Sequence, residues 1–421
     1  MNRRRSAAIG TFALVLASSA FLSGASASST ASSTAAPGAP AEPALPANAT
    51  ATQGRVTPAM QAEIDRVLAE GSSTSARRSA ATETNASALA TSQVRCADLE
   101  GQRYCLGTGW TDQPEADVVA EATAQTRTLL TRSAPRETTG DLDLADELRQ
   151  RASMSPAARR EVERAELVEA ARSVAKVWLL RHQIQGTPLP QGFVERHPEI
   201  RAGSLPSART TTDSTTLATT ESATRTATKT SADYPERDQI LSSKRVAEQT
   251  RTYWCGPTAM QMIGWGWRGY RNTQNYWATK LGTTRSGTAI SEMVRVTNAN
   301  TGFDNPRRAG EYVVLDIGSW TWGQWWMLQM RHIHDYQAPV ILHPILLKKF
   351  YPYLDDDASG HFQVGRGYDK NGNGGRLLKY FEPWNQQRFD PSEPFISRNQ
   401  TRYGYRSYRA NLAHSMHNIG V

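Results

Sequence analysis

Gln249 stands six residues before Cys255, and Cys255 is followed directly by Gly256 and Pro257. Pro257, then Ala259, Met262, Ile263 and Gly266 at helical spacing, predict a buried helix that begins at the cysteine. Free backbone N–H groups and the positive end of the helix dipole favour a thiolate there. A glutamine amide folded over that helix start would join the Cys255 N–H in donating hydrogen bonds to a developing oxyanion. A nucleophilic thiolate also needs a general base, usually an imidazole. Of the eight histidines, His182 and His197 fall in the amino-terminal region, His332 and His334 flank an exposed-looking turn, and His414 and His417 sit near the C-terminus. His361 differs, because "SGHFQVGRGYD" puts it after a glycine at the start of a predicted strand. After the turn "DKNGNGG", a second strand, "RLLKYFEPWN", runs back and ends at Glu382 to Asn385. Two antiparallel strands joined by that turn bring His361 close to Glu382 or Asn385, either of which would orient the imidazole.

The cysteine count isolates the same residue. The chain has three cysteines. Cys96 and Cys105 are spaced for a disulfide-closed hairpin, which an oxidising compartment allows. Cys255 is then left unpaired, and an exported free thiol invites oxidation unless it has a use.

The elements that must hold these groups divide the 421 residues unevenly. Residues 1–27 read as a secretory signal peptide, with Arg3 to Arg5 as the basic start, Ala7 to Leu22 as the apolar run and Ala25-Ser26-Ala27 as the cleavage site. Residues 28–53 are an Ala/Ser/Thr/Pro lead-in with little to bury. Residues 54–202 read as helical and highly charged. Thr57 and Pro58 open one helix, "PEADVVAEATAQTRTLL" forms another, and Ser155-Pro156 starts a longer one lined by Leu167, Ala171, Val174 and Trp178. Residues 203–233 are a Ser/Thr-rich linker, and residues 234–421 hold nine of the eleven tryptophans. That last region puts its helix first and its β-type runs later, an α+β order rather than an alternating α/β one. The +8 charge comes from scattered arginines, so no nucleic-acid footprint is visible, and loose attraction to an acidic envelope is the milder expectation. Beyond the signal peptide no run is long and apolar enough for a stable span.

Other chemistry-bearing patterns fall short. Asp369 begins a calcium-loop-like stretch, but Tyr380 stands where a bidentate carboxylate is required. Asp355 to Asp357 read as a solvated loop, and His414 and His417 lack a third ligand, so neither a metal nor another cofactor is expected. Trp320 and Trp322 alternate as on one face of a strand, and Trp254, beside the cysteine, is the candidate substrate contact.

In this order, the glutamine, the Cys-Gly-Pro, the Gly-His before a strand ending in Gly-Tyr-Asp, and the acid followed by Pro-Trp resemble the bacteriocin-leader-processing (double-glycine) cysteine peptidases and their secreted relatives, in the papain-like clan. The resemblance spans residues 234–421. It implies a papain-like domain whose first helix carries the cysteine and packs on an antiparallel sheet, preceded here by a mainly helical domain. It further implies Cys255 as nucleophile, His361 as base, Gln249 in the oxyanion hole and a protein or peptide substrate. The family's aspartate before proline falls on Glu382, one methylene longer, so either Glu382 or Asn385 takes the third role. Three functions stay open: a secreted peptidase, an envelope enzyme cutting peptidoglycan peptides with cell-wall association, and a non-catalytic module on the same fold. Residues 54–202 are either a pro-segment covering the cleft or a stable accessory domain.

Overall fold

The computed structural model describes residues 45–71, 86–131, 138–202, 229–304, 309–372, 375–384, 396–400 and 417–421. The signal peptide, most of the lead-in and of the Ser/Thr-rich linker, Asn385 and His414 lie outside the described residues. Those described belong to one compact unit.

The helices of the first half start where their caps predict. In α1 (Pro58–Glu70) the Thr57 hydroxyl accepts from the Met60 N–H, and Met60, Ile64, Val67 and Leu68 are buried along one stripe. After α2 (Ala86–Gln93), β1 (Cys96–Leu99) and β2 (Gln102–Cys105) form a hairpin with Cys96 opposite Cys105. Those two residues are disulfide-bonded. A short strand β3 (Gly109–Thr111) pairs with β2, and helices α3 (Glu115–Thr131), α4 (Leu144–Ser153) and α5 (Pro156–Leu180) follow. The hairpin matches the expectation from the Cys96–Cys105 spacing, whereas β3 was not readable in the sequence, because a run of three residues is too short to show a period of two.

In the second half α6 (Cys255–Ile263), α7 (Gln274–Lys280), α8 (Ile290–Thr301) and α9 (Trp322–Met330) pack beside a sheet. Its strands are β4 (Arg237–Gln239), β5 (Val314–Asp316), β6 (Val340–Leu342), β7 (Gln363–Gly372), β8 (Gly375–Glu382), β9 (Ile396–Gln400) and β10 (Asn418–Gly420). The order is β9-β8-β7-β6-β10-β5-β3-β2-β1, with β4 also on β7. The β5–β3 pair is parallel, Trp110 facing Leu315, and the other pairs are antiparallel, so the molecule is α+β with a mixed sheet. Strands from before and after the Ser/Thr-rich tract thus share one sheet, and the core is continuous across them.

Two local expectations need correcting. Trp322 is not on a strand but opens α9, where Thr321 and Gln324 make a reciprocal capping box that outweighs the tryptophan alternation. His332 is fully buried, its Nδ1 3.1 Å from the Ala338 carbonyl, because α9 continues into a wider helical turn over residues 331–335.

Candidate active site

Cys255 is the first residue of α6, and all nine residues of that helix are buried. The residue after it has to be small, since a Cβ on Gly256 would come within 2.6 Å of Thr288 Oγ1. The Cys255 sulfur receives the backbone N–H groups of Phe362 and Gly256, so the helix start lies against the strand entrance that carries His361. Its titration departs from the expectation of a helix-stabilised thiolate. Complete burial pushes the thiol well above its ordinary range, the Asp141 carboxylate adds to this, and the two N–H contacts only partly offset it.

The β7–β8 hairpin does what the antiparallel reading requires. Val364 sits opposite Phe381, so residues just before β7 and at the end of β8 are neighbours. His361 Nε2 lies 2.5 Å from Glu382 Oε1, with both side chains at 0% exposure. The carboxylate is held on all sides. Oε1 also accepts the Trp384 N–H at 2.8 Å, and Oε2 accepts Gln363 Nε2 at 2.6 Å and the Tyr353 hydroxyl at 2.9 Å. Burial alone would raise the Glu382 pKa, but His361, Trp384 and Gln363 together bring it below the usual carboxylate value. The other ring nitrogen, His361 Nδ1, is buried and has no hydrogen-bond partner among the described residues.

Gln249 is fully buried, and its main-chain N–H donates to the carbonyl of Pro383, the residue after Glu382, at 2.9 Å. Three carbonyl oxygens surround its Nε2, those of Thr252 at 2.8 Å, Arg251 at 3.0 Å and Thr139 at 3.2 Å. The Thr139 carbonyl also accepts the Cys255 N–H, at 3.2 Å. Two donors from different segments therefore converge on one carbonyl oxygen.

That acceptor was not foreseen. Nothing in the spacing of Thr139, Gly140 and Asp141 singles them out, and the contact spans 110 residues to Gln249. His343 was also passed over. It is fully buried, its Nε2 2.6 Å from Asp141 Oδ1, its Nδ1 2.7 Å from Asn418 Oδ1, and its ring stacked on Phe362 at 4.6 Å. Gln363, the first residue of β7, and Tyr353, in a turn, gave no signal of their own. Trp254 precedes α6 and is 9% exposed, with the Arg251 guanidinium 4.7 Å from its ring. Asn385 lies outside the described residues. Among the described residues no three His, Cys, Asp or Glu side chains gather as a metal site, and no helix is long and apolar enough to cross a membrane.

No curated protein and no solved structure matches the chain. A family model does, the one described as Peptidase_C39 like family, over residues 237–410, which contain Gln249, Cys255, His361 and Glu382. Over these residues the chain is similar to the C39-like cysteine peptidase family.

Proposed function

We propose that the protein is an exported cysteine peptidase in which Cys255 attacks a peptide carbonyl, His361 moves the protons and Glu382 holds the imidazole. The observation that carries this reading is the buried His361–Glu382 pair at the strand entrance against which the Cys255 sulfur packs, its His361 Nδ1 having no hydrogen-bond partner among the described residues.

In the first step the Cys255 thiol gives its proton to His361 Nδ1 and the sulfur bonds to the carbonyl carbon. The negative charge that develops on the carbonyl oxygen is taken by the Cys255 N–H and Gln249 Nε2, the pair that already meets on one oxygen here. Collapse breaks the C–N bond as His361 returns the proton to the leaving amine. Water, losing a proton to His361, then attacks the thioester, and the C–S bond breaks to regenerate the thiol. The Glu382 carboxylate offsets the imidazolium charge without accepting its proton, consistent with a pKa kept low.

Export is supported by the basic Arg3 to Arg5 start, the apolar run after it and the Cys96–Cys105 disulfide, which an oxidising compartment preserves. A family of peptidases implies a protein or peptide substrate.

The test is turnover of an unbiased peptide mixture read by mass spectrometry, with purified protein and its Cys255→Ala form. Cleavage that requires Cys255 and is abolished by prior alkylation is expected, from the purified chain or from a folded form of it whose Cys255 labels with iodoacetamide. Equal cleavage by Cys255→Ala, or none by any form with an accessible Cys255, would sink the reading.

A further inference from the structure

We propose that residues 139–142 are a built-in peptide ligand of the catalytic cleft and that the chain is latent while they occupy it. The regulatory meaning rests on the peptidase reading; the occupancy itself rests on contacts alone.

The segment is gripped through its backbone, as a peptide in a groove would be. On one wall, the Thr139 N–H donates to Ser359 Oγ at 3.0 Å and the Thr139 hydroxyl to the Gly360 carbonyl at 2.7 Å, next to His361. On the other, Gly140 O accepts the Thr288 N–H at 2.9 Å and the Leu142 N–H donates to Thr288 O at 3.0 Å, making a parallel bridge between Asp141 and Thr288. Between the walls, the Thr139 carbonyl takes both oxyanion donors. Asp141 then anchors the segment in the interior through His343. Thr138 is exposed, whereas Thr139 to Leu142 are buried, so the chain dips into the cleft at this point.

Gly140 makes the fit possible. Its φ of +108° suits glycine, and a Cβ there would run into the backbone of Tyr253, two residues before the nucleophile. The consequence is competition. A substrate carbonyl needs the same two N–H donors, and a tethered occupant competes at an effective concentration on the order of millimolar. That is at or above the usual KM range of about 1 μM to 1 mM. Occupancy also accounts for a fully buried Cys255.

The experiment is the rate of iodoacetamide labelling at Cys255 in the full chain, read by peptide mass, beside Gly140→Ala and Asp141→Asn. Circular dichroism and Tm show which variants stay folded. The unmutated chain should label more slowly than free cysteine, and a folded variant at least about 10-fold faster than the unmutated chain. A synthetic peptide of residues 138–146 should slow that variant again. Labelling of the unmutated chain as fast as free cysteine would overturn the proposal, and so would folded variants with no acceleration. Recovery of the chain cut between Thr139 and Gly140 would also overturn it, since the segment would then be a substrate. If both variants unfold, the unmutated chain decides, by its rate and by whether it stays intact. Accelerated labelling without hydrolysis of any peptide would leave the occupancy standing and remove the peptidase reading. Hydrolysis by an unmutated chain that labels rapidly would do the reverse.

Discussion

The Thr139 carbonyl oxygen lies 3.2 Å from the Cys255 backbone nitrogen and 3.2 Å from Gln249 Nε2, so a residue from the first half of the chain accepts from two donors in the second. The two donors belong to separate segments, one the start of α6 and the other a buried side chain tied through its own main chain to Pro383. Their convergence puts two N–H groups around one oxygen, the arrangement the proposed mechanism uses for its oxyanion. The Gln249 main-chain N–H in turn meets the carbonyl of Pro383, the residue after Glu382.

Removing one of those donors gives the first prediction. Gln249→Ala should lower kcat by about 10²–10³-fold, as loss of an oxyanion donor does elsewhere, with a much smaller change in KM. The comparison is made in a Gly140→Ala background, where the cleft is open. A change confined to KM would show that Gln249 positions substrate rather than stabilising the transition state.

Glu382→Gln keeps the shape of the side chain but removes its charge, so the imidazolium formed during the reaction loses its counter-ion. We expect kcat to fall by about 100-fold or more, by analogy with orienting acids in other triads. Stability should respond too. Because the folded-state pKa of Glu382 is depressed, its stabilisation is present above the unfolded value near 4.5 and is lost as pH falls through the folded pKa. Urea unfolding between pH 3 and 6 should show a shallower acid limb in Glu382→Gln, and an identical limb would refute this account.

Gln363 and Tyr353 are positioning residues on the same logic, since each donates to Glu382 Oε2 and neither touches the reacting atoms. Gln363→Met removes one of the hydrogen bonds that lower the Glu382 pKa, so that pKa should rise. The acid limb of kcat/KM should move to higher pH, with a loss in rate of about 10-fold, matching one hydrogen bond to a charged group at about 1.5 kcal/mol. Tyr353→Phe leaves the ring in place and tests the second donor. A drop in rate with the pH profile unmoved would mean that packing, not charge, is what these residues supply.

How much of this was legible from the residues divides by range. Helix starts at Thr57 and Ser155, the Cys96–Cys105 hairpin and the His361–Glu382 approach are consequences of caps, turns and register, which operate over a few residues to about 20. The longer acid at Glu382 meets His361, and the Trp384 N–H folds back onto the same oxygen. A covering segment was one of two expectations for residues 54–202, but which of its residues would meet Gln249 and Cys255 was not legible. Thr139, Asp141, His343 and Asn418 meet through packing of segments up to some hundreds of residues apart, and a single glycine or aspartate in a polar stretch has no periodicity to betray it. The α9 tryptophans show the converse, a real alternation that a capping box and the burial of Trp325 and Trp326 overruled.

The last prediction concerns stability away from the cleft. Although burial pulls the His197 pKa down, hydrogen bonds to Glu100 at 2.8 Å and Glu199 at 2.7 Å raise it to about 9. His417, 2.7 Å from Glu121 and 3.7 Å from Asp316, is likewise raised, to about 10. A histidine whose folded pKa lies above its unfolded value of 6.5 stabilises the fold fully below that value, and the stabilisation is lost as pH rises through the folded pKa. Tm should therefore decline from pH 6.5 to about 10. His197→Gln should have a lower Tm than the unmutated protein at pH 6 and a flatter decline above it, because the proton-linked part of the slope is gone. Both histidines lie outside the catalytic cleft, so the readout is thermal unfolding followed by circular dichroism. A slope unchanged by His197→Gln would mean that the Glu100–His197–Glu199 group holds its geometry without charge.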